Sequence, residues 1–252
     1  MRHRIRIATW NLQRPSQSDL RKNPYILKRI RAVDADIWVL TETNAAIDLS
    51  GTHNAVVSAP VATLHKAGEN WTTIWSRYPI TSQPKTYDPS IAVCAEIDIT
   101  GKPWLVYGTV LPWHSDKGQS GTAPGWTEHY RVIPLQGKDW NLMRAAFPSH
   151  RFCVAGDLNQ SRDGLVWPWG REYYGTKKGR ALLTDELNIA GIKCVTEANL
   201  FSKGLKTRSS IDHVCVDLDS ARRIKAVRAW EAGCGNGKPL SDHNGIYADL
   251  AF

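Results

Sequence analysis

The chain is punctuated by apolar runs that each meet a short polar cluster. RIRIAT runs into Trp10-Asn11, DIWVLT into Glu42, and RFCVA into Gly156-Asp157-Leu158-Asn159. Ser210-Ile211-Asp212-His213 precedes VCV, and Ser241-Asp242-His243 precedes NGIYADL. Apolar runs of this length predict buried strands. Polar groups at the ends of buried strands collect at one rim of a sheet, where sites are built. A rim shared by the five clusters makes neighbours of Glu42, Asp157, Asp212 and Asp242. Four crowded carboxylates repel one another and resist desolvation. A hard divalent cation and a protonated histidine would relieve both penalties, so the residue types predict a metal-assisted site for a phosphate substrate.

The chain's 252 residues contain no internal repeat, low-complexity tract or linker, so 1–252 reads as one domain. Hydrophobic residues reach 42%, enough for a sizeable core, beside an ordinary 22% of charged ones. No apolar stretch approaches the roughly 18 residues that a membrane span needs. The basic opening MRHRIRIATW is not followed by the apolar segment of a signal peptide, so a cytoplasmic address is expected. The net charge of +8 favours a polyanionic partner: nucleic acid, an anionic membrane surface or a phosphorylated small molecule. No dense Lys/Arg run marks a groove. The five cysteines include no CxxC pair, and their odd number suits reduced thiols.

Periodicity predicts strands at 4–10 and 36–42, with a helix at 21–33 carrying Ile26, Leu27, Ile30 and Val33 on one side. A strand over 71–80 stops at Pro79. IAVCAEIDI and KPWLVYGTVL form a hairpin about Thr100-Gly101. A helix spans 135–147, its extension back to Trp126 left open by Pro134 and Gly137. A strand at 151–156, a Gly/Trp/Tyr-rich loop at 160–175 and a helix at 177–190 follow. Strands near 193–196, 211–217, 223–230 and 245–251 complete a layered α/β sandwich. RIRIAT alternates, which suggests a strand with one face in solvent or near an edge. DIWVLT and FCVAG are apolar on both faces, as central strands are.

With these clusters placed, the chain resembles the endonuclease/exonuclease/phosphatase (DNase I-like) superfamily, which includes DNase I, abasic-site endonucleases, sphingomyelinases and inositol polyphosphate 5-phosphatases. The resemblance rests on TWN at 9–11, TE at 41–42, SRYPI at 76–80, GDLN at 156–159, SIDH at 210–213 and SDH at 241–243. It implies a four-layer α/β/β/α sandwich and Mg²⁺-dependent cleavage of a phosphoester, with Mn²⁺ as the substitute metal. By that match Glu42 would be the principal metal ligand. Asn11 would support the metal directly or through water, with Asp242 close by. Asp157 would orient or deprotonate the attacking water, Asn159 would hold water and phosphate, and His243, held by Asp212, would contact phosphate oxygens. The donor chemistry agrees, since Mg²⁺ takes oxygen ligands and one or two carboxylates, whereas zinc favours absent Cys and His clusters.

The chain departs from the pattern after VYGTV. Many relatives carry histidine or tyrosine there, and this chain has Val110, with His114 four residues on. Either His114 reaches in as an acid or water protonates the leaving group. His213, one residue beyond Asp212, would point to the opposite face. Loop tryptophans Trp113, Trp126, Trp167 and Trp169 would stack on substrate or pack loops, with Trp167 and Trp169 favoured as a substrate wall. Arg162, Arg171 and Arg208 would hold phosphate oxygens or form a solvated basic loop. The basic balance and aromatic loops select a nuclease acting on DNA. A phosphatase or small-molecule or lipid-headgroup phosphodiesterase is the alternative, and an inactive binding module is the third reading.

Overall fold

The computed structural model describes residues 4–61, 65–118, 120–164, 174–197, 203–205, 208–235 and 238–251. The chain forms β1 (Arg4–Asn11), α1 (Asn23–Val33), β2 (Ile37–Asn44), β3 (Asn54–Val57), β4 (Glu69–Ser76), β5 (Ile80–Ser82), β6 (Ala92–Ile99), β7 (Lys102–Val110) and α2 (Thr127–Ala146). It continues with β8 (Arg151–Asp157), α3 (Lys177–Ile189), β9 (Ile192–Cys194), β10 (Asp212–Asp217), α4 (Leu218–Ala221), β11 (Ile224–Trp230), β12 (Cys234–Gly235), β13 (Lys238–Pro239) and β14 (Gly245–Ala251). Two six-stranded sheets carry the architecture, ordered β11-β14-β1-β2-β4-β3 and β5-β6-β7-β8-β10-β9.

The layers follow from which side chains each strand buries. Ile5, Ile7, Val39 and Ile74 of the first sheet meet Val93, Val106, Cys153 and Val214 of the second in a dry interior between the sheets. The outer face of the first sheet packs Ala8, Trp10, Trp38 and Leu40 against Ile26, Ile30 and Val33 of α1. The outer face of the second packs Leu105, Tyr107, Phe152 and Val154 against Val132, Ile133 and Trp140 of α2 and Leu183 and Leu187 of α3. The result is the α/β/β/α sandwich. Thr176 caps α3, its hydroxyl accepting a hydrogen bond from the Gly179 amide at 3.0 Å. The β6–β7 hairpin closes at Thr100 (φ 52°) and Gly101 (φ 79°), two consecutive left-handed residues of the kind that match strand twist.

Two expectations change, and the start of one helix, left open by the sequence, is fixed. The strand over 71–80 is two strands, because Tyr78 and Pro79 leave the ladder and β5 joins the other sheet. α2 starts at Thr127 and runs through Pro134, since Val132, Ile133, Trp140 and Met143 all bury against the second sheet and outweigh one lost hydrogen bond. β1 is no edge strand: it lies between β14 and β2. Its alternation comes from Arg4 and Arg6, which both pair with Asp249 on neighbouring β14, and Arg6 also lies 4.1 Å over the Tyr247 ring.

Candidate active site

Strand register brings the polar clusters to one rim. In the parallel pair β1–β2, Asn11 stands opposite Thr41, so Glu42 follows directly beside it. In the antiparallel pair β8–β10, Asp157 stands directly opposite Asp212. Like charges so placed repel, and both are buried, Asp157 2% exposed and Asp212 0%. The sheets are joined at this rim by Asn11, whose Nδ2 donates at 3.0 Å to Glu42 Oε1 and at 3.0 Å to Asp157 Oδ2. The segment before β14 closes the rim: Ser241 Oγ donates to Asn11 O at 2.7 Å, and Trp10 Nε1 donates to His243 O at 3.0 Å.

Backbone strain aims the side chains. Glu42 (φ 44°) and Asn159 (φ 51°) are left-handed without being glycine, a costly state that clusters at functional sites. At Glu42 the β2–β4 ladder skips a pair, Thr41 facing Thr72 and Thr43 facing Asn70. Gly156 has φ 138°, and a Cβ there would lie 1.9 Å from Thr109 O, so the turn into Asp157 accepts only glycine.

The electrostatics are those of one crowded group of charges. His243 Nδ1 lies 2.7 Å from Asp212 Oδ2, and its Nε2 is 3.9 Å from Asp157 Oδ2 and 3.9 Å from Asp242 Oδ1. Burial pulls the imidazole down, but Asp157, Asp212 with its hydrogen bond, and Asp242 together push it up to about 10. The ring is therefore a cation that donates Nδ1–H to Asp212. Burial pushes the Asp157 carboxyl up to about 7; His243 opposes this, and Asp212 and Glu42 add to it. Asp212 Oδ1 is buried, with no hydrogen-bond partner among the described residues.

An open cleft of about 290 Å³ lies over these groups, lined by Glu42, Asp157, Asn159, Asp242 and His243 together with Arg14, Trp113, Tyr174, Arg208 and Ile211. Asn159 is anchored there by Nδ2 donating to Leu111 O at 2.8 Å, while its amide donates to Asp157 Oδ1 at 3.0 Å. Arg208 reaches the Asp242 carbonyl. Ligand atoms of Asp157, Asp212 and His243 lie within 4.8 Å of one another, and with the ring protonated the two carboxylates are the groups of this cluster that could meet a metal.

Other expected residues lie elsewhere. Arg162 is turned away, its Nη2 donating to Thr184 Oγ1 at 3.1 Å and Glu197 Oε2 at 3.1 Å, and it does not line the cleft. His114 is exposed on the loop after β7, its ring centroid 5.5 Å from that of Trp126, and is likewise absent from the cleft wall. Trp126 packs loops, touching His129 and Tyr174 as well. Trp167, Trp169 and Arg171 lie outside the described residues. His213 faces the second sheet's helical layer, where Thr196 Oγ1 (3.0 Å) and Gln160 O (2.8 Å) engage its ring. Asn11 turns its amide nitrogen to the carboxylates and its Oδ1 to the Gln13 amide, 2.8 Å away. Sequence reasoning missed Arg14, whose Nε lies 3.3 Å from Glu42 Oε2. Its only signal was its place three residues past Asn11.

A two-sheet sandwich with acids and a charged histidine on one rim defines a phosphoester hydrolase of the DNase I-like class. The Endonuclease/Exonuclease/phosphatase family model matches residues 8–243, and the chain belongs to that family. No curated protein matches the sequence. Among solved structures it is similar to the 3' phosphatase NExo from Neisseria bound to product DNA hairpin, at TM-score 0.71 and 16% identity over 98% of this chain and 100% of that one. It is also similar to the AP endonuclease LMAP from Leishmania major (TM-score 0.70, 13% identity, 99% and 88% covered). An AP endonuclease from Archaeoglobus fulgidus matches with TM-score 0.67 and 16% identity over 97% and 98%.

Proposed function

We propose that the protein is a Mg²⁺-dependent phosphodiesterase that hydrolyses nucleic acid, with DNA as the substrate. The observation that carries this reading is the convergence of Glu42, Asp157 and His243 on one open cleft, with buried Asp212 behind the histidine. Asp157 is held as a weak acid in a dry site, which suits a group that accepts a proton from water near neutral pH. Asn159, fixed beside it, holds that water in line with the leaving oxygen. His243 offers Nε2–H to the phosphoryl oxygens as charge gathers on them, and Asp212 keeps the ring oriented and cationic.

The donor set fits a hard cation. It offers carboxylate and amide oxygens, while Cys94, Cys153, Cys194 and Cys215 are buried along strands away from the rim. Burial raises the Asp157 carboxyl most, and the neighbouring Asp212 and Glu42 carboxylates add to it, a repulsion that a cation would relieve. Glu42 would hold the ion, with Asp242 beside it and Asn11 contributing through water. Bound there, a divalent ion supplies Lewis-acid polarisation of the phosphate and offsets transition-state charge. With Val110 and His114 as placed, water protonates the leaving oxygen.

The net charge of +8 supports nucleic acid over a neutral substrate. The similarity to the 3' phosphatase NExo, bound to product DNA hairpin, supports DNA over RNA. A panel of single- and double-stranded DNA, RNA and a simple phosphodiester, with Mg²⁺, Mn²⁺ or chelator, tests the reading. Nicks or released nucleotides from DNA with Mg²⁺, abolished by chelator, are expected. Turnover confined to phosphomonoesters or headgroups would replace the nuclease with a phosphatase or lipid-type phosphodiesterase. Salt-dependent retention of nucleic acid without turnover would leave a binding module.

A further inference from the structure

A second concavity adjoins the catalytic cleft and is larger, about 640 Å³ against about 290 Å³. The two share Trp113. Carboxylates, an imidazolium and arginines wall the first, whereas Trp71, Ile91, Val110, Pro112, Trp113 and Val132 wall the second. Its volume lies within the roughly 300–1,000 Å³ typical of sites that enclose a small organic group, and such sites are mostly apolar. Trp71 and Trp113 form a continuous aromatic wall, ring centroids 5.8 Å apart at 45°. That wall is tied to the cleft, because the Arg14 guanidinium sits 4.6 Å over Trp71 while its Nε lies 3.3 Å from Glu42 Oε2.

Charge narrows the occupant. Among the described lining residues, Asp88, Asp116 and Glu128 are matched by Lys117 and Arg131 alone, and Arg131 is already bonded to Glu128, with Nε to Oε2 at 2.8 Å. A wall with an excess of carboxylates repels phosphate and admits a neutral ring. Distance narrows it further: Val110 stands opposite Asp157 in the β7–β8 register, so the groove begins one strand away from the carboxylate assigned to water. The apolar residue at 110, where the family resemblance implied histidine or tyrosine, is part of what makes this wall apolar.

We propose that the groove receives the nucleobase of a nucleotide adjoining the phosphate under attack, stacked on Trp113 with Trp71 beside it. The proposal rests on the nuclease reading. It divides the substrate between two chambers, backbone phosphate in the polar cleft and one base in the apolar groove.

The test uses DNA oligonucleotides in which a base-less tetrahydrofuran residue occupies successive positions, with steady-state kinetics on the whole protein. Wild type should show one position, next to the cut, where removing the base raises KM about tenfold, the size expected for loss of one base–aromatic stack. Trp113→Ala, which removes the wall, and Ser115→Trp, which fills the groove from an exposed position, should each raise KM for the natural oligonucleotide to that level. Neither should add a further increase on the oligonucleotide that lacks that base. As a direct readout, 2-aminopurine at that position should be quenched on binding Asp157→Asn protein and recover with Ser115→Trp added. Equal KM increases on base-bearing and base-less DNA, or no position sensitive to its base, would overturn the groove assignment and leave the nuclease standing. Wild type that cuts no oligonucleotide at all would overturn the nuclease reading and this proposal with it.

Discussion

At the residue scale, opposite charges meet 3.9 Å apart at His243 and Asp157 behind strands that exclude water. Asp157 helps hold the imidazole charged, and His243 opposes the burial that raises the Asp157 carboxyl, so the two groups are coupled. Asp157→Asn should lower turnover about 10²–10⁴-fold with the fold intact, the usual worth of a general base. His243→Gln should lower it about 10²–10³-fold, as loss of one transition-state donor does. The double variant should lose less than the product of the two, because the pair acts as a unit. Steady-state kinetics beside circular dichroism would check all three, and unchanged turnover in either single variant would refute its assigned role. Gly156 has no catalytic atom, yet a methyl there would meet Thr109 O at 1.9 Å. Gly156→Ala should destabilise by more than about 2 kcal/mol in urea melts, as strained left-handed positions do when a Cβ is added.

At the element scale, burial and not propensity decides which segments persist. Leu183 on α3 is fully buried against the second sheet, and Leu183→Ala should cost about 2–5 kcal/mol. Leu142 on α2 is apolar but 59% exposed, and Leu142→Ala should move stability by no more than about 0.5 kcal/mol. Urea midpoints of the two variants test this contrast. Long apolar runs were legible as central strands: DIWVLT became β2 and FCVAG became β8, each flanked on both sides. β3 was not legible, since four residues with a half-exposed pattern carry no period. Arginine on β1 misled in the other direction. Arg6 is polar in sequence, but Asp249 neutralises it and Tyr247 covers it, so the strand sits inside the sheet.

At the scale of the whole molecule, two averaged properties are measurable. His129 lies beneath the loops, fully buried, with Nδ1 2.6 Å from Pro112 O. Burial pushes its pKa down to about 4, although the bond to Pro112 opposes this. A base with a depressed folded pKa binds its proton more readily in the unfolded chain. The contribution of His129 to stability should therefore be intact above about pH 6.5 and fall between there and pH 4, by up to about 3 kcal/mol. The difference between wild type and His129→Gln in urea titrations across that window isolates this contribution from those of Asp157 and His243. The net charge of +8 should make nucleic-acid affinity fall with salt. Arg14→Ala, at the cleft mouth, should reduce the slope of log Kd against log salt by about 1 if Arg14 meets a phosphate. From the sequence alone came the layered class, the central strands and the acids and histidine that gather at one end, because a buried run cannot end in a charge without a partner. Tertiary structure alone decided the company each residue keeps. Asp157 faces Asp212 through strand register, Arg14 rather than Arg162 reaches the cleft, and Val110 and Trp113 share an apolar wall with Trp71. Those contacts join residues distant in the chain, and their distances depend on how two sheets twist and pack, which no local pattern of residues encodes.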